Sequence, residues 1–548
     1  MSDLSTEKQC LLRNHIKLLL LAAILGVAAL AGSFLSPHRS EEFKERPTLG
    51  YSDEEILTLP YFDILAPKGE NHNLLSDVSG YSLGDGFIHL YLPDNIPEES
   101  VIVYIRDIDG NYLARRQYDF TQKVMIGPWE VLLERHNLPI LYFDCDDPGV
   151  YADMNSRKTK DVICPGSMHI SSGDGDLWGD MRLSKYWSVI SAGTGTTAAT
   201  LQGRGVSSWS FCDTKKSYSL RLDRPRDLLG MGSNRNWNLV GNAFDVSLLK
   251  SMTFNRISRD IGIAYQPNMQ YVNLYVDGKY QGVYMLTTKV TVDENRVALG
   301  KGDYFYQKFS TNREQPFSYT SDTWYDDGQD FPEAELLYPE NASAEELQNA
   351  ANVFQNFIDT LEDPSSGNLA DVCDIRSLAK YYWIQEASMN FDGWERCVYM
   401  YYTKPDGRMH FGPVWDMDLT LGATDQKLGI AFDTPEGWRI RNGGWYTKLF
   451  ENEDFVRAVN DEYYNNNVRE RLLGGVNEFE KQRSLLGADG YMNYLFYGSS
   501  NKWEIVPEYG ESYDEYCDNV IDFYRKRIEW IDSQMTGSLS SGDNKENR

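Results

Sequence analysis

The chain has 548 residues, of which 41% are hydrophobic and 24% charged. That is enough for two or three domains with an ordinary globular balance and a large core. Its formal net charge of −28 repels phosphate backbones and anionic lipid. Nucleic-acid binding and electrostatic docking on membranes are therefore excluded as leading functions, leaving solubility or attraction to cations and basic partners.

In chain order, residues 16–35 read IKLLLLAAILGVAALAGSFL, apolar but for Lys17. About 18 apolar residues nearly span a bilayer as a helix. Lys8, Arg13 and Lys17 lie on the amino side, which keeps residues 1–15 in the cytoplasm and exports the rest. The run is a signal anchor or a cleaved signal peptide with Ala29-Leu30-Ala31 as its cleavage site, and its length favours the anchor. The expectation is a single-pass protein, N-terminus in and C-terminus out, or a secreted one.

Residues 36–81, rich in Pro, Glu, Arg and Lys, are expected to form a stalk. Residues 82–130 predict a small all-β module serving as a spacer. Residues 87–92 alternate as a strand, and 101–105 lead into Asp109-Gly110, a hairpin turn signal. The main domain is expected over 138–534. Residues 138–143 read as its first buried strand. Two hairpins follow, 271–276 with 280–286 around Asp277-Gly278, and 397–402 with 409–411 around Asp406-Gly407.

Helices come later. Ser343-x-x-Glu346 is a capping box ahead of Leu347, Ala350, Phe354, Phe357, Ile358 and Leu361 at helical spacing. Ser512-x-x-Glu515 opens another helix with Tyr516, Val520, Phe523, Ile528 and Ile531 on one side, and 444–490 reads as mostly helical. The fold class is α+β, strands first and helices last. Residues 535–548 are polar and aperiodic, and are expected to be a disordered tail. The seven cysteines include no CxxC pair, which excludes a zinc ribbon. The six beyond residue 35 form up to three disulfides in an oxidising compartment, or stay as buried thiols.

HExxH, GxSxG and GxxxxGK[ST] are absent and the seven histidines are scattered, so the chemistry falls to carboxylates and a few basic residues. Asn390-Phe391-Asp392 precedes the third hairpin, and Phe411-Gly412-Pro413-Val414-Trp415-Asp416-Met417-Asp418 follows it. In a strand Asp416 and Asp418 share a face. Two such carboxylates suit Mg²⁺ or Mn²⁺, and so phosphates. Asp392 can reach the same pocket and accept a hydroxyl proton. On spacing alone the plainer alternative, that Asp416 and Asp418 pin a turn and Asp392 caps a helix, is the favoured one. A second stretch runs from Gln202-Gly203-Arg204-Gly205 through Ser207-Ser208-Trp209 to Lys215-Lys216-Ser217-Tyr218. Such a turn can offer N–H groups to an anion, with a lysine behind it. A solvated basic pair at a strand edge is the alternative there.

Together the two stretches resemble the CotH kinase family over about 138–531. Further marks are Leu228-Leu229-Gly230-Met231, Trp237-Asn238-Leu239, Asp245, Leu248-Leu249, VDGKYQGVYML at 276–286, Asp293-Glu294-Asn295-Arg296-Val297 and FGPVWDMDLTLG at 411–422. The resemblance implies an atypical protein-kinase-like fold of two lobes, a mixed β-rich N-lobe and a helical C-lobe. It implies ATP, Mg²⁺ or Mn²⁺, and phosphoryl transfer to Ser or Thr of secreted or surface proteins. It gives Asp392 the catalytic role, Asp416 and Asp418 the metal, and Lys216 the phosphates, with Arg204 beside it in the cofactor site. Thr288 and Gln307 stand where relatives often carry acidic residues. A non-catalytic member, a surface binding protein or coat scaffold, is the other reading. A glycosidase built on paired carboxylates ranks behind both.

Overall fold

The computed structural model describes residues 61–68, 71–77, 81–84, 87–92, 102–106, 112–117, 124–126, 129–171, 196–205, 207–210, 212, 215–277, 279–308, 334–363, 367–390, 392–393, 398–422, 424–425, 430–443, 445–497, 510 and 512–542. The expected membrane or signal segment at 16–35 lies outside them. Among the described residues no helix is long and apolar enough to cross a membrane. The chain divides into two compact units, Met1–Pro47 with Ala66–Ser76, and Thr48–Leu65 with Asp77–Arg548. The described residues of the first are strand, from the end of β1 (Tyr61–Lys68) and from β2 (Asn71–Asp77).

The second unit begins with β3 (Tyr81–Gly84), β4 (Phe87–Leu92), β5 (Ile102–Arg106), β6 (Tyr112–Gln117), β7 (Val124–Ile126) and β8 (Trp129–Arg135). β5 and β6 pair antiparallel with Ile102 opposite Gln117, as the Asp-Gly turn signal predicts. β5 also takes Tyr61 to Leu65 of β1 as a neighbour. β4 runs parallel to β8 and antiparallel to β3. Strand therefore starts at Tyr61, inside the expected stalk, and ends past residue 130. Average composition hid the local β-formers Tyr61, Phe62, Ile64 and Leu65, whose preference acts over a few residues.

The next strands are β9 (Ile140–Cys145), β10 (Ile163–Ser171), β11 (Thr197–Arg204), β12 (Ser217–Asp227), β13 (Ser233–Val240), β14 (Met269–Val276) and β15 (Lys279–Thr288). They close a barrel in the order β10-β11-β12-β13-β15-β14-β9, which removes the free edges. The β14–β9 pair is parallel, and β14–β15 is the predicted hairpin. Inward residues alternate and fill the barrel, among them Leu141, Phe143, Leu201, Leu220, Trp237, Val272 and Leu286. Helix α1 (Pro148–Ser156) joins β9 to β10, capped by Asp147, which accepts the Gly149 N–H at 2.8 Å. The short α2 (Ser207–Ser210) follows β11, and α3 (Lys250–Asp260) joins β13 to β14.

Beyond the barrel, β16 (Tyr304–Lys308), β17 (Ala334–Tyr338), β18 (Val398–Thr403) and β19 (Arg408–Phe411) form a sheet in the order β17-β16-β18-β19. The helices are α4 (Ala344–Glu362), α5 (Leu369–Val372), α6 (Ile375–Ser388), α7 (Tyr446–Leu449), α8 (Glu453–Asn465), α9 (Val468–Tyr497) and α10 (Tyr513–Gly542). The capping box on α4 is present, with both reciprocal bonds made by Ser343 and Glu346. Ser512 caps α10 by accepting the Glu515 N–H. α10 continues to Gly542, so the tail expected to be disordered from 535 is helical over its first half. Residues 543–548 lie outside the described set. α9 breaks at Gly487, and just beyond the break Asp489 accepts the N–H groups of Asn137 and Leu138, both at 2.8 Å, and bonds the His136 ring. The helix is thereby tied to the entry of the barrel.

Lys215 is enclosed beside α9. Its ammonium donates to Asn493 Oδ1 at 2.6 Å and stands over the rings of Tyr284 and Tyr497. Burial lowers its pKa to about 7, with the charge of Asp245 opposing. Between that value and the unfolded 10.5 the unfolded chain holds the extra proton, so stability rises with pH across this window. The cost of burying the charge is fully present below about pH 7. Lys215→Met is therefore expected to raise the unfolding midpoint most at pH 6–7, by the equivalent of a few kcal/mol, with the gain shrinking toward pH 10. Asn493 Oδ1 keeps a donor in the variant, the Val283 N–H at 3.0 Å. Calorimetry across pH checks this, and a pH-independent difference contradicts it.

Candidate functional site

β19 stops at Phe411 because Pro413 has no N–H to continue a ladder. Residues 412–420 are irregular, so Asp416 and Asp418 do not share a strand face as their spacing suggested. Asp416 instead adopts a left-handed backbone with φ of 64°. Its side chain is exposed, and that of Asp418 is half-buried.

One asparagine orients both acidic stretches. α6 ends at Ser388, and Asn390 follows. Asn390 Oδ1 accepts the Asp392 N–H at 3.2 Å and its carbonyl accepts the Gly393 N–H at 2.9 Å. Its Nδ2 rests against Met417 Sδ at 3.5 Å. The Leu421 N–H donates to the Ser388 carbonyl at 2.9 Å, and Thr420 Oγ1 to the Met417 carbonyl at 2.8 Å. The end of α6 thus carries Asp392 and anchors the turn bearing Asp416 and Asp418.

The start of α3 closes the site from the other side. Asp245 accepts from Ser247 Oγ at 2.5 Å, and from the N–H groups of Ser247 and Lys250 at 3.1 and 2.9 Å. The buried Lys250 ammonium donates to the carbonyls of Thr420 at 2.9 Å and Asp418 at 3.4 Å. A cleft opens between these parts, lined by Val240, Asn242, Ser251, Asn255, Met269 and Met285 on one side and by 414–418 on the other.

Burial raises the Asp418 carboxyl well above the ordinary range. The charges of Asp416, Asp245 and Asp392 raise it further, and Lys250 opposes them. Burial likewise lowers Lys250, which Asp245 and Asp418 resist. Four carboxylates and one ammonium therefore share one electrostatic neighbourhood. Hard oxygen donors of this kind fit a divalent cation. Among the described residues no three His, Cys, Asp or Glu side chains form a ready-made cage. Mg²⁺ takes only one or two carboxylates when phosphates and water complete its shell, and Asp416 with Asp418 fits that pattern.

The basic stretch also has local reasons for its sequence. A Cβ on Gly203 would lie 2.6 Å from the Trp209 ring, and Gly205 has φ of 84°, where a side chain is strained. Arg204 stands over the Trp415 ring with its guanidinium 5.7 Å from the centroid, which brings the two predicted stretches together. Lys216 is buried with its ammonium 4.3 Å over the Trp209 ring, and it is not among the residues lining the cleft. The cation beside the carboxylates is Lys250, which sequence reasoning missed. Of its signal, Asp245-x-Ser247-x-x-Lys250, only Asp245 stood among the family marks, and the partners of Lys250 are about 170 positions away. Thr288 Oγ1 accepts the Asn268 N–H at 3.0 Å, and Gln307 lies opposite Glu335 on the neighbouring strand.

No curated protein matches the chain. A family model described as CotH kinase protein matches residues 201–531, a span holding the end of β11, the Asp245–Lys250 turn, Asp392, Asp416 and Asp418. With more than half of its length covered by that match, the chain belongs to the CotH kinase family.

Proposed function

We propose that this chain is an exported CotH-type kinase that transfers the γ-phosphoryl group of ATP to Ser or Thr of secreted or surface proteins. On this reading the barrel is the N-lobe of a two-lobed kinase-like fold, the helical part is the C-lobe, and the N-terminal run holds or delivers the chain across a membrane. The observation that carries the reading is that Asp416 and Asp418 line the cleft and share one electrostatic neighbourhood with Asp245, Asp392 and Lys250. A bound Mg²⁺ or Mn²⁺ supplies charge neutralisation for the phosphates. Asp416 and Asp418 would hold it, and Lys250 fixes the backbone that presents them. Asp392, at the end of α6, accepts the proton of the attacking hydroxyl. Arg204 and Lys216 serve the phosphates from the barrel side as fixed positive charges.

A second reading, a binding protein or scaffold without catalysis, draws support from Thr288, whose hydroxyl is committed to the Asn268 backbone where relatives often carry an acid. γ-Labelled ATP, incubated with the chain, a divalent cation and a Ser/Thr-rich acceptor protein, separates the two. Label on Ser or Thr is expected. Asp392→Asn is expected to cut transfer by roughly 10²–10⁴-fold while leaving the ATP-induced rise in the unfolding midpoint intact. Absence of label together with absence of any ATP-induced rise selects the scaffold.

A further inference from the structure

Among the described residues Cys145, Cys164, Cys373 and Cys517 are free thiols, while Cys10 and Cys397 lie outside that set. Two of these thiols touch. Cys145 ends β9 and Cys164 lies on β10, strands that pair antiparallel with Gly166 opposite Cys145. The two Sγ atoms are 3.6 Å apart. Cys145 is half-buried and Cys164 lies buried behind it.

We propose that Cys145 and Cys164 are a modification site that closes an intrachain disulfide under oxidising conditions, stapling the segment that braces the turn at 204–209. A disulfide requires about 2.05 Å between sulfurs, which the ends of two paired strands can supply by side-chain rotation. The segment between the cysteines is α1 and its exit, and it holds the turn through three bonds. Trp209 Nε1 donates to the Thr159 carbonyl at 3.1 Å, Gln202 Nε2 to the Lys160 carbonyl at 2.8 Å, and Lys160 Nζ to the Gly205 carbonyl at 2.8 Å. In the same segment, Asn155 Oδ1 accepts from Tyr218 Oη at 2.8 Å. Fixing both ends of this brace restricts the turn that carries Arg204.

The oxidant is a small disulfide. Cys145, the more accessible of the two, attacks one of its sulfurs as the thiolate, a form that the Cys164 contact and burial disfavour and that alkaline pH supplies, forming a mixed disulfide and expelling one thiolate. Cys164 then attacks the Cys145 sulfur and expels the second. The two protons lost by the cysteines end on the two released thiols, and the incoming disulfide is the group reduced. Asp277, Asp146 and Asp147 place their negative charge on this pair, so a cationic disulfide is expected to react several-fold faster than the anionic glutathione disulfide.

The test uses the folded full-length chain and cystamine, followed by alkylation and mass spectrometry. The expected product is about 2 Da lighter, carries a peptide joining Cys145 to Cys164, and reverts with dithiothreitol. Cys164→Ser is expected to stop at a cysteamine adduct on Cys145. Wild-type chain that stops at such an adduct, or that keeps both thiols alkylatable, overturns the proposal. Hydrogen exchange reads the staple itself. Slower exchange of the amides at 204–209 in the oxidised form is expected, and unchanged exchange with the disulfide formed overturns the stapling. Neither readout depends on nucleotide, so a failure here is distinct from a failure of the kinase reading.

Discussion

Asp416→Asn is expected to abolish the metal-dependent stabilisation of this protein by ATP and to lower phosphoryl transfer by roughly 10²–10³-fold or more. Asp416 is the exposed member of the carboxylate group, and its charge helps push the Asp418 carboxyl up. A bound cation would relieve that repulsion and compete with a proton for Asp418. Removing one of two ligand charges leaves too little to offset dehydration of a hard divalent ion. A ligand at ~100 times its Kd stabilises the folded state by about 2.7 kcal/mol, and this is the gain that disappears. Asparagine is the chosen replacement because it tolerates the left-handed backbone at 416, where alanine is strained. The unliganded midpoint is expected to stay put, since the side chain is exposed. Cation binding to the wild-type chain is expected to tighten as pH rises through the elevated Asp418 titration, because proton and cation compete. Calorimetric titration of Mn²⁺ at several pH values checks the trend, and affinity that falls with rising pH contradicts it.

Arg527→Met is expected to be the most damaging single change to stability, on the order of 3–5 kcal/mol. Arg527 and Glu386 are both fully buried, with Nη2 to Oε1 at 2.5 Å. The guanidinium also donates to the carbonyls of Glu386 at 3.0 Å, Pro435 at 2.9 Å and Gly437 at 2.7 Å. Glu386 accepts the N–H groups of Arg439 at 2.8 Å and Arg441 at 2.7 Å. One pair therefore ties α10, α6 and the segment 435–441. Methionine fills the space but strands a buried carboxylate and three carbonyls. Lysine does not rescue, because a single ammonium cannot reproduce the planar fork. α6 carries Ser388 and Asn390 at its end, so the variant is also expected to weaken nucleotide response. Denaturant unfolding checks the magnitude, and adding Glu386→Gln is expected to cost less than the sum of the two changes.

What the sequence made legible was local. The three hairpins and the helix caps each rest on a few adjacent residues, Asp-Gly turns or a Ser with Glu three positions on. Barrel closure was not legible, because it depends on parallel pairing of β14 with β9 across about 130 positions. The site was half legible. Asn390-x-Asp392 and Asp416-x-Asp418 stood out as motifs, yet the reason they meet is Asn390 touching Met417. Asp416 and Asp418 do not share a face because Pro413 ends the strand before them. Lys250 escaped notice because its partners at 418 and 420 approach only in the folded chain. The break at Gly487 was hidden within helical spacing on both sides.

The most direct test of the nucleotide site is thermal unfolding of the wild-type chain with ATP alone, with Mg²⁺ or Mn²⁺ alone, and with both. A rise in the midpoint of a few degrees that requires nucleotide and cation together is the predicted result. An unchanged midpoint at roughly millimolar concentrations of both contradicts it, and leaves the family fold standing without a nucleotide site.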